Sequence, residues 1–268
     1  MLIKLNFGRT SSLSSSIIFS LHNNQKTKKL LRSSSCCSIS SSSSSCPPPP
    51  QTPLFLRPPI FSATLSDLRT WRHWAQTLAS STFLHLDNGP TSDLLLRELN
   101  WLIQDALLNP QTLSTQPPTI HDHRISLSLR ADLEHLYLLW KQRIQDRRPF
   151  QYVVGCEHWR DLVLSVQEGV LIPRPETELI VDLVGDTIIN NNQGLKEGLW
   201  ADLGTGSGAI AIGIARILGN SGRVIATDLS PVAVQVASFN VQRYNLHVSP
   251  FQRFVRLIPL RTLLLFFI

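Results

Sequence analysis

The chain holds 268 residues with 25 Lys and Arg against 19 Asp and Glu, a formal charge of +6, and that length bounds it to one large domain or two modest ones. The surplus sits at the start: no acidic residue precedes Asp67, and beyond Arg57 eighteen basic residues face nineteen acidic ones, a net near −1. A basic nucleic-acid-binding face is therefore not expected, and no run approaches the roughly 18 apolar residues of a membrane-crossing helix.

Residues 1–65 read as a leader. Ser11 to Ser16 and Ser38 to Ser45 are nearly continuous serine, Pro47 to Pro50 follow, and Lys4, Arg9, Lys26, Lys28, Lys29, Arg32 and Arg57 stand without an acid among them. Such a segment buries too little apolar surface to fold alone, and its composition is that of an organelle transit peptide. Serine dominance favours the chloroplast, with the mitochondrion as alternative. Three of the four cysteines, Cys36, Cys37 and Cys46, lie in it. Cys156 alone cannot form an internal disulfide, and no Cys/His spacing offers a metal site.

Residues 66–148 form a helical segment. Ser66 is placed to cap a helix carrying Leu68, Trp71, Trp74, Ala75 and Leu78 on one side. A second helix runs from about Thr91 to Leu108 and stops at Asn109-Pro110. A third runs from about Ser126 to Arg148 with Leu129, Leu133, Leu136, Trp140 and Ile144 at helical spacing. The tryptophans read as core, and His121 and His123, beside Asp122, as solvated loop residues.

From residue 149 to 268 the period changes. Phe150 to Gly155 and Leu162 to Val166 read as two strands of a hairpin. Pro175 suits a first helical position, with Glu176 and Glu178 in the first turn where the helix dipole favours negative charge. Then follow strand Leu199–Leu203, a glycine loop, a helix, strand Arg223–Asp228 and a helix from Pro231 to about Tyr244. That alternation means a parallel, doubly wound α/β sheet.

The glycine loop carries the chemistry. In Asp202-Leu203-Gly204-Thr205-Gly206-Ser207-Gly208-Ala209, glycines at every second position let the backbone turn tightly and approach a ligand where a Cβ would clash. Gly204, Gly206 and Ala209 also satisfy the loose dinucleotide fingerprint. The third glycine, Gly208, and the acid Asp202 two residues ahead of the loop favour S-adenosylmethionine over NAD. Asp228 ends the next strand, where a carboxylate accepts ribose hydroxyls in either class.

Phe150-Gln151-Tyr152-Val153-Val154-Gly155, Leu171-Ile172-Pro173-Arg174-Pro175-Glu176-Thr177-Glu178 and the glycine loop together resemble the release factor glutamine methyltransferases (PrmC/HemK). The Ile-Pro-Arg-Pro-Glu-Thr-Glu run is the specific part, and the likeness covers about Ser66 to Leu246. It implies an N-terminal substrate-recognising domain followed by a Rossmann-like methyltransferase domain. The implied reaction moves a methyl group from S-adenosylmethionine to the glutamine amide nitrogen of a Gly-Gly-Gln loop in a peptide chain release factor. It also implies that Asp202, Gly204, Thr205, Gly206, Ser207, Gly208 and Asp228 hold the cofactor. Arg174, Glu176, Thr177 and Glu178 are either a substrate-pocket wall or a well-started helix. No metal, no direct nucleic-acid contact and no membrane are expected, and a monomer is.

The family's Asn-Pro-Pro-Tyr acceptor motif has no counterpart between Asn245 and Ile268, so no catalytic residue is assigned. The two prolines of that stretch, Pro250 and Pro259, are expected to interrupt any strand. A sheet left with two parallel strands would be marginally stable, and the chain as written is expected to be inactive. Two other readings stand beside this one: a nucleic-acid amino-methyltransferase, and a non-catalytic fragment that binds a release factor.

Overall fold

The computed structural model describes residues 2–5, 50–81, 89–113, 121–191, 193–246 and 255–259. Residues 6–49, most of the stretch read as a leader, and the tail at 247–254 and 260–268 lie outside them.

The folded chain enters ahead of Ser66. Leu54, in a short 3-10 turn at Leu54–Leu56, is fully buried in the helical core, and Phe61–Thr64 form a strand, β2. Residues 54–64, inside the stretch read as a leader, thus contribute to the fold, and Leu2–Leu5 form a further strand, β1. Helix α1 spans Leu65–Ser81. Its first turn is closed by Thr64 rather than Ser66: the Thr64 hydroxyl accepts the Asp67 N–H at 3.1 Å and donates to the Asp67 carboxylate at 2.7 Å. Helix α2 (Ser92–Ala106) starts at Thr91, whose hydroxyl accepts from the Leu94 N–H.

The third helical segment is shorter than its periodicity suggests. Ser126–Leu129 is a strand, β3, antiparallel to β2, and its side chains alternate exposed and buried. Apolar residues at 127 and 129 fit a period of two as well as the helical spacing. Asp132 then caps helix α3 (Leu133–Ile144) through the His135 N–H at 2.7 Å. The three helices pack over Leu68, Trp71, Leu99, Leu136 and Trp140, all essentially inaccessible. The Trp140 indole N–H donates to the Ala75 carbonyl at 3.0 Å, and a bidentate Arg143–Glu98 pair ties α3 to α2. His121 and His123 are exposed, whereas Asp122 between them is buried against Arg69.

The expected first hairpin strand is a helix instead. Phe150–Val154 forms one turn, α4, with Phe150, Val153 and Val154 buried at i, i+3 and i+4. Pro149 fixes its entry and Gly155, at φ +81°, closes it. The hairpin follows as β4 (Cys156–Trp159) and β5 (Leu162–Ser165).

Pro175–Thr177 makes a 3-10 turn leading into α5 (Glu178–Asn191), followed by the single turn α6 (Gln193–Lys196). Strand β6 (Leu199–Leu203), helix α7 (Ala209–Leu218), strand β7 (Arg223–Asp228) and helix α8 (Pro231–Arg243) complete the expected alternation. Strands β6 and β7 are parallel. A third parallel strand, β8 (Val255–Pro259), lies against β7, which corrects the expectation of an interrupted tail. Pro259 takes the last position, opposite Asp228, where a missing N–H costs the ladder least. Strand β1 pairs antiparallel on the other edge of β6. The sheet is therefore four-stranded in the order β1-β6-β7-β8, with neither edge of β6 or β7 bare. It is a Rossmann-like α/β layer whose core is drawn from Trp200, Ile212, Ile214, Leu218, Val224 and Val241.

Candidate functional site

The carboxyl ends of β6 and β7 meet at the glycine loop. Such a crevice at the strand ends of an open α/β sheet is where ligands bind. The Gly204 and Thr205 N–H groups both donate to the Thr227 carbonyl, at 2.8 and 2.9 Å, so the loop folds back over β7. Gly204 and Gly206 sit at φ +81° and +56° with nothing within 4 Å of where a Cβ would stand. Their Cα atoms face open space, and the positive φ excludes most side chains. Gly208, at φ +85°, has a different reason: a Cβ would meet Ala237 of α8 at 3.3 Å.

Two acids brace the loop from opposite sides. Asp202 is 2% exposed and accepts the Thr205 hydroxyl at 2.7 Å. Burial pushes its carboxyl above the ordinary range, opposed by the Thr205 hydrogen bond. Asp228 accepts the Gly206 N–H on Oδ2 and the Ser230 N–H on Oδ1, both at 2.9 Å. Each oxygen keeps lone-pair capacity, and the carboxylate stands half-buried in the wall of a cavity of about 340 Å³. Ser207 is buried, and its carbonyl accepts from Asn240.

The Pro-Arg-Pro-Glu-Thr-Glu turn divides. Arg174 and Thr177 line the same cavity as Gly204, Thr205, Gly206, Ser207 and Asp228. Glu176 is exposed and does not line it. Glu178 faces away: its Oε1 accepts the Arg160 N–H at 3.1 Å, at the tip of the β4–β5 hairpin. The Arg174 carbonyl accepts the Trp159 indole N–H at 2.9 Å, so the hairpin also fixes the cavity wall.

Asn240, in the middle of α8, was not apparent as a site residue from sequence. It is fully buried, and its amide donates to the carbonyls of Ser165 (3.0 Å) and Ser207 (2.9 Å) while accepting the Ser165 N–H at 2.7 Å. One turn on, the Tyr244 hydroxyl accepts the Val163 N–H at 2.7 Å. Alternate residues of β5 thus meet i and i+4 of a helix, whose side chains stand in for a neighbouring strand. The only sequence signal was a polar residue on the otherwise apolar face of Val236, Ala237 and Val241.

Comparison with known proteins bears on this geometry. Residues 186–256 match the family model for ribosomal protein L11 methyltransferase (PrmA). The chain is 41% identical over 182 residues to a release factor glutamine methyltransferase of Thermosynechococcus vestitus, covering 67% of this chain and 56% of that relative. It is 46% identical over 119 residues to one from Gloeobacter violaceus, 44% of this chain and 40% of the relative. For one from Synechocystis it is 40% over 146 residues, 54% and 47%. The chain spans about half the length of these curated relatives.

Proposed function

We propose, for a chain homologous over its matched length to the release factor glutamine methyltransferases, that it binds S-adenosylmethionine at the glycine loop and serves methylation of a release factor glutamine. The observation that carries the reading is the loop itself: two glycines at positive φ that bare their backbone to open space, beside a carboxylate with spare acceptor capacity. That cradle fits a cofactor with a ribose and an amino-acid end.

Bound S-adenosylmethionine supplies a methyl group on a sulfonium, an electrophile that an amide nitrogen attacks only when held in line with it. Asp228 would hold the ribose hydroxyls with the lone pairs that Gly206 and Ser230 leave free. Gly204, Gly206 and the backbone of Thr205 and Ser207 would border the methionine end, and Gly208 lets α7 start against α8. Asp202 would steady the loop through Thr205, and a cation nearby would offset the cost of its buried charge. Arg174 and Thr177 are proposed as pocket wall, and Glu176 and Glu178 as groups that start α5. No described residue is assigned to the acceptor amide.

The near-neutral charge beyond Arg57 weighs against a nucleic-acid substrate. Among the described residues, no helix is long and apolar enough to cross a membrane. The test is retention of the chain on an immobilised release factor at rising salt, with duplex DNA as competitor. Retention that persists at high salt and ignores DNA is expected. A salt-labile interaction displaced by DNA would favour the nucleic-acid reading, because phosphate contacts weaken steeply with salt. The serine-rich, acid-free start further supports delivery to the chloroplast. Fusing residues 1–49 to a fluorescent protein tests this, and a diffuse cytosolic signal would refute it.

A further inference from the structure

A second cavity, of about 520 Å³, lies where α2, α4 and β4 meet, and the cofactor site does not use it. Its lining combines the rings of Trp101 and Phe150 with the carboxylates of Asp105 and Glu157 and the imidazole of His158. Trp101 is 45% exposed, unlike the buried tryptophans of the helical core, and its ring stands 6.1 Å from that of Phe150. An open indole face beside acids is an arrangement that a cation can use.

Asp105 is the telling member. It sits in the last turn of α2, the end of a helix where the dipole disfavours a negative charge. Among the described residues it accepts no hydrogen bond and forms no ion pair, and only the longer-range pull of His158 and Arg130 reaches it. Burial pushes its carboxyl up to about 6 in spite of that pull. Glu157 is half-buried, takes a hydrogen bond from the Gln151 side chain, and is likewise pushed up by burial. Wrong helix end, partial desolvation and no donor are three penalties on one side chain, and a cationic ligand would supply the donors and offset the other two with its charge.

We propose that this cavity receives an arginine side chain of the protein substrate, its guanidinium against Trp101 and its N–H fork toward the carboxylate of Asp105. The aromatic wall selects the planar guanidinium over a compact ammonium. The assignment to the substrate rests on the reading of a release factor as partner; the cavity's preference for a guanidinium does not.

The probe is N-acetyl-L-arginine amide, with the citrulline analogue as its uncharged isostere, followed at the Trp101 indole N–H by NMR and assigned with W101F. Saturable shifts with arginine amide, none with citrulline, and at least about tenfold weaker binding by D105N are expected, from the loss of a charge-assisted hydrogen bond. Unchanged affinity of D105N for S-adenosylhomocysteine controls for folding. No Trp101 response to arginine amide, or equal responses to the two amides or by the two proteins, would overturn the proposal. Equal release factor affinity of wild type and D105N would overturn the assignment to the substrate. A release factor that fails to bind wild type, while the arginine response persists, would sink the functional reading and with it the assignment to the substrate, and leave the guanidinium site standing.

Discussion

Asp105 and Asp228 are both half-buried carboxylates, yet only one is held by the protein's own donors. Asp228 accepts two backbone N–H groups at the turn it organises, whereas Asp105, among the described residues, accepts no hydrogen bond and feels His158 and Arg130 only through their charge. The consequence for Asp105 can be read in stability. Its folded carboxyl keeps its proton to about 6 against an ordinary 3.8, so the folded state binds more protons than the unfolded one between those values. Stability therefore falls as pH rises through that window and stays lower above it. Linkage bounds the effect at about 3 kcal/mol, and solvent screening of a half-buried group reduces it to about half that. D105N should thus be more stable than wild type at pH 7.5 and no more stable at pH 4, measured by urea unfolding at both. A D105N protein destabilised at pH 7.5 would mean that the carboxylate has a structural partner. The buried thiol of Cys156, pushed up to about 12, is by contrast an inert core group.

At the level of elements, α8 does two jobs with residues one turn apart. Among the described residues the Tyr244 hydroxyl bonds to the hairpin alone, while Asn240 pairs with the hairpin and with the Ser207 carbonyl of the glycine loop. N240A leaves three buried polar groups unsatisfied and should cost about 2–4 kcal/mol while also weakening S-adenosylhomocysteine binding. Y244F should cost about 1 kcal/mol and leave that binding unchanged. Equal loss of ligand affinity in both variants would show that α8 merely holds the fold. These elements also show how far sequence reached. Helices α1 and α2, the β6–α7–β7–α8 alternation and the loop residues were legible because glycine spacing and long apolar stripes are local signals. Phe150–Val154 was not: its apolar run suits strand and helix alike, and Pro149 and Gly155, which decide for one turn of helix, are equally common hairpin punctuation. Ser126–Leu129 was absorbed into α3 for the same reason, until pairing with β2 selected the period of two. Asn240 was invisible because its partners are 75 and 33 residues away.

Across the described residues, two large cores divide the work, with a small third cluster of Val170, Ala233 and Val236 beside the glycine-loop cavity. One, around Trp71, Trp140 and Leu99, carries the aromatic and acidic cavity; the other, beneath the four-stranded sheet, carries the glycine loop. The hairpin joins them: Cys156 packs in the first core, and Trp159, Leu162 and Leu164 in the second. The expectation of a two-stranded, bare-edged sheet gives way to one in which β8 and β1 cover β7 and β6: Pro250 lies outside β8, Pro259 takes its last position, and Leu2–Leu5 pairs from within the stretch read as leader. The central functional claim is that the loop takes S-adenosylmethionine. Isothermal titration with S-adenosylhomocysteine and, separately, NADH measures it most directly, in wild type and D228A. The account predicts saturable binding of S-adenosylhomocysteine, at least tenfold weaker in D228A from the loss of charge-assisted hydrogen bonds, and no binding of NADH. Binding of NADH in preference to S-adenosylhomocysteine, or S-adenosylhomocysteine affinity indifferent to Asp228, would contradict it.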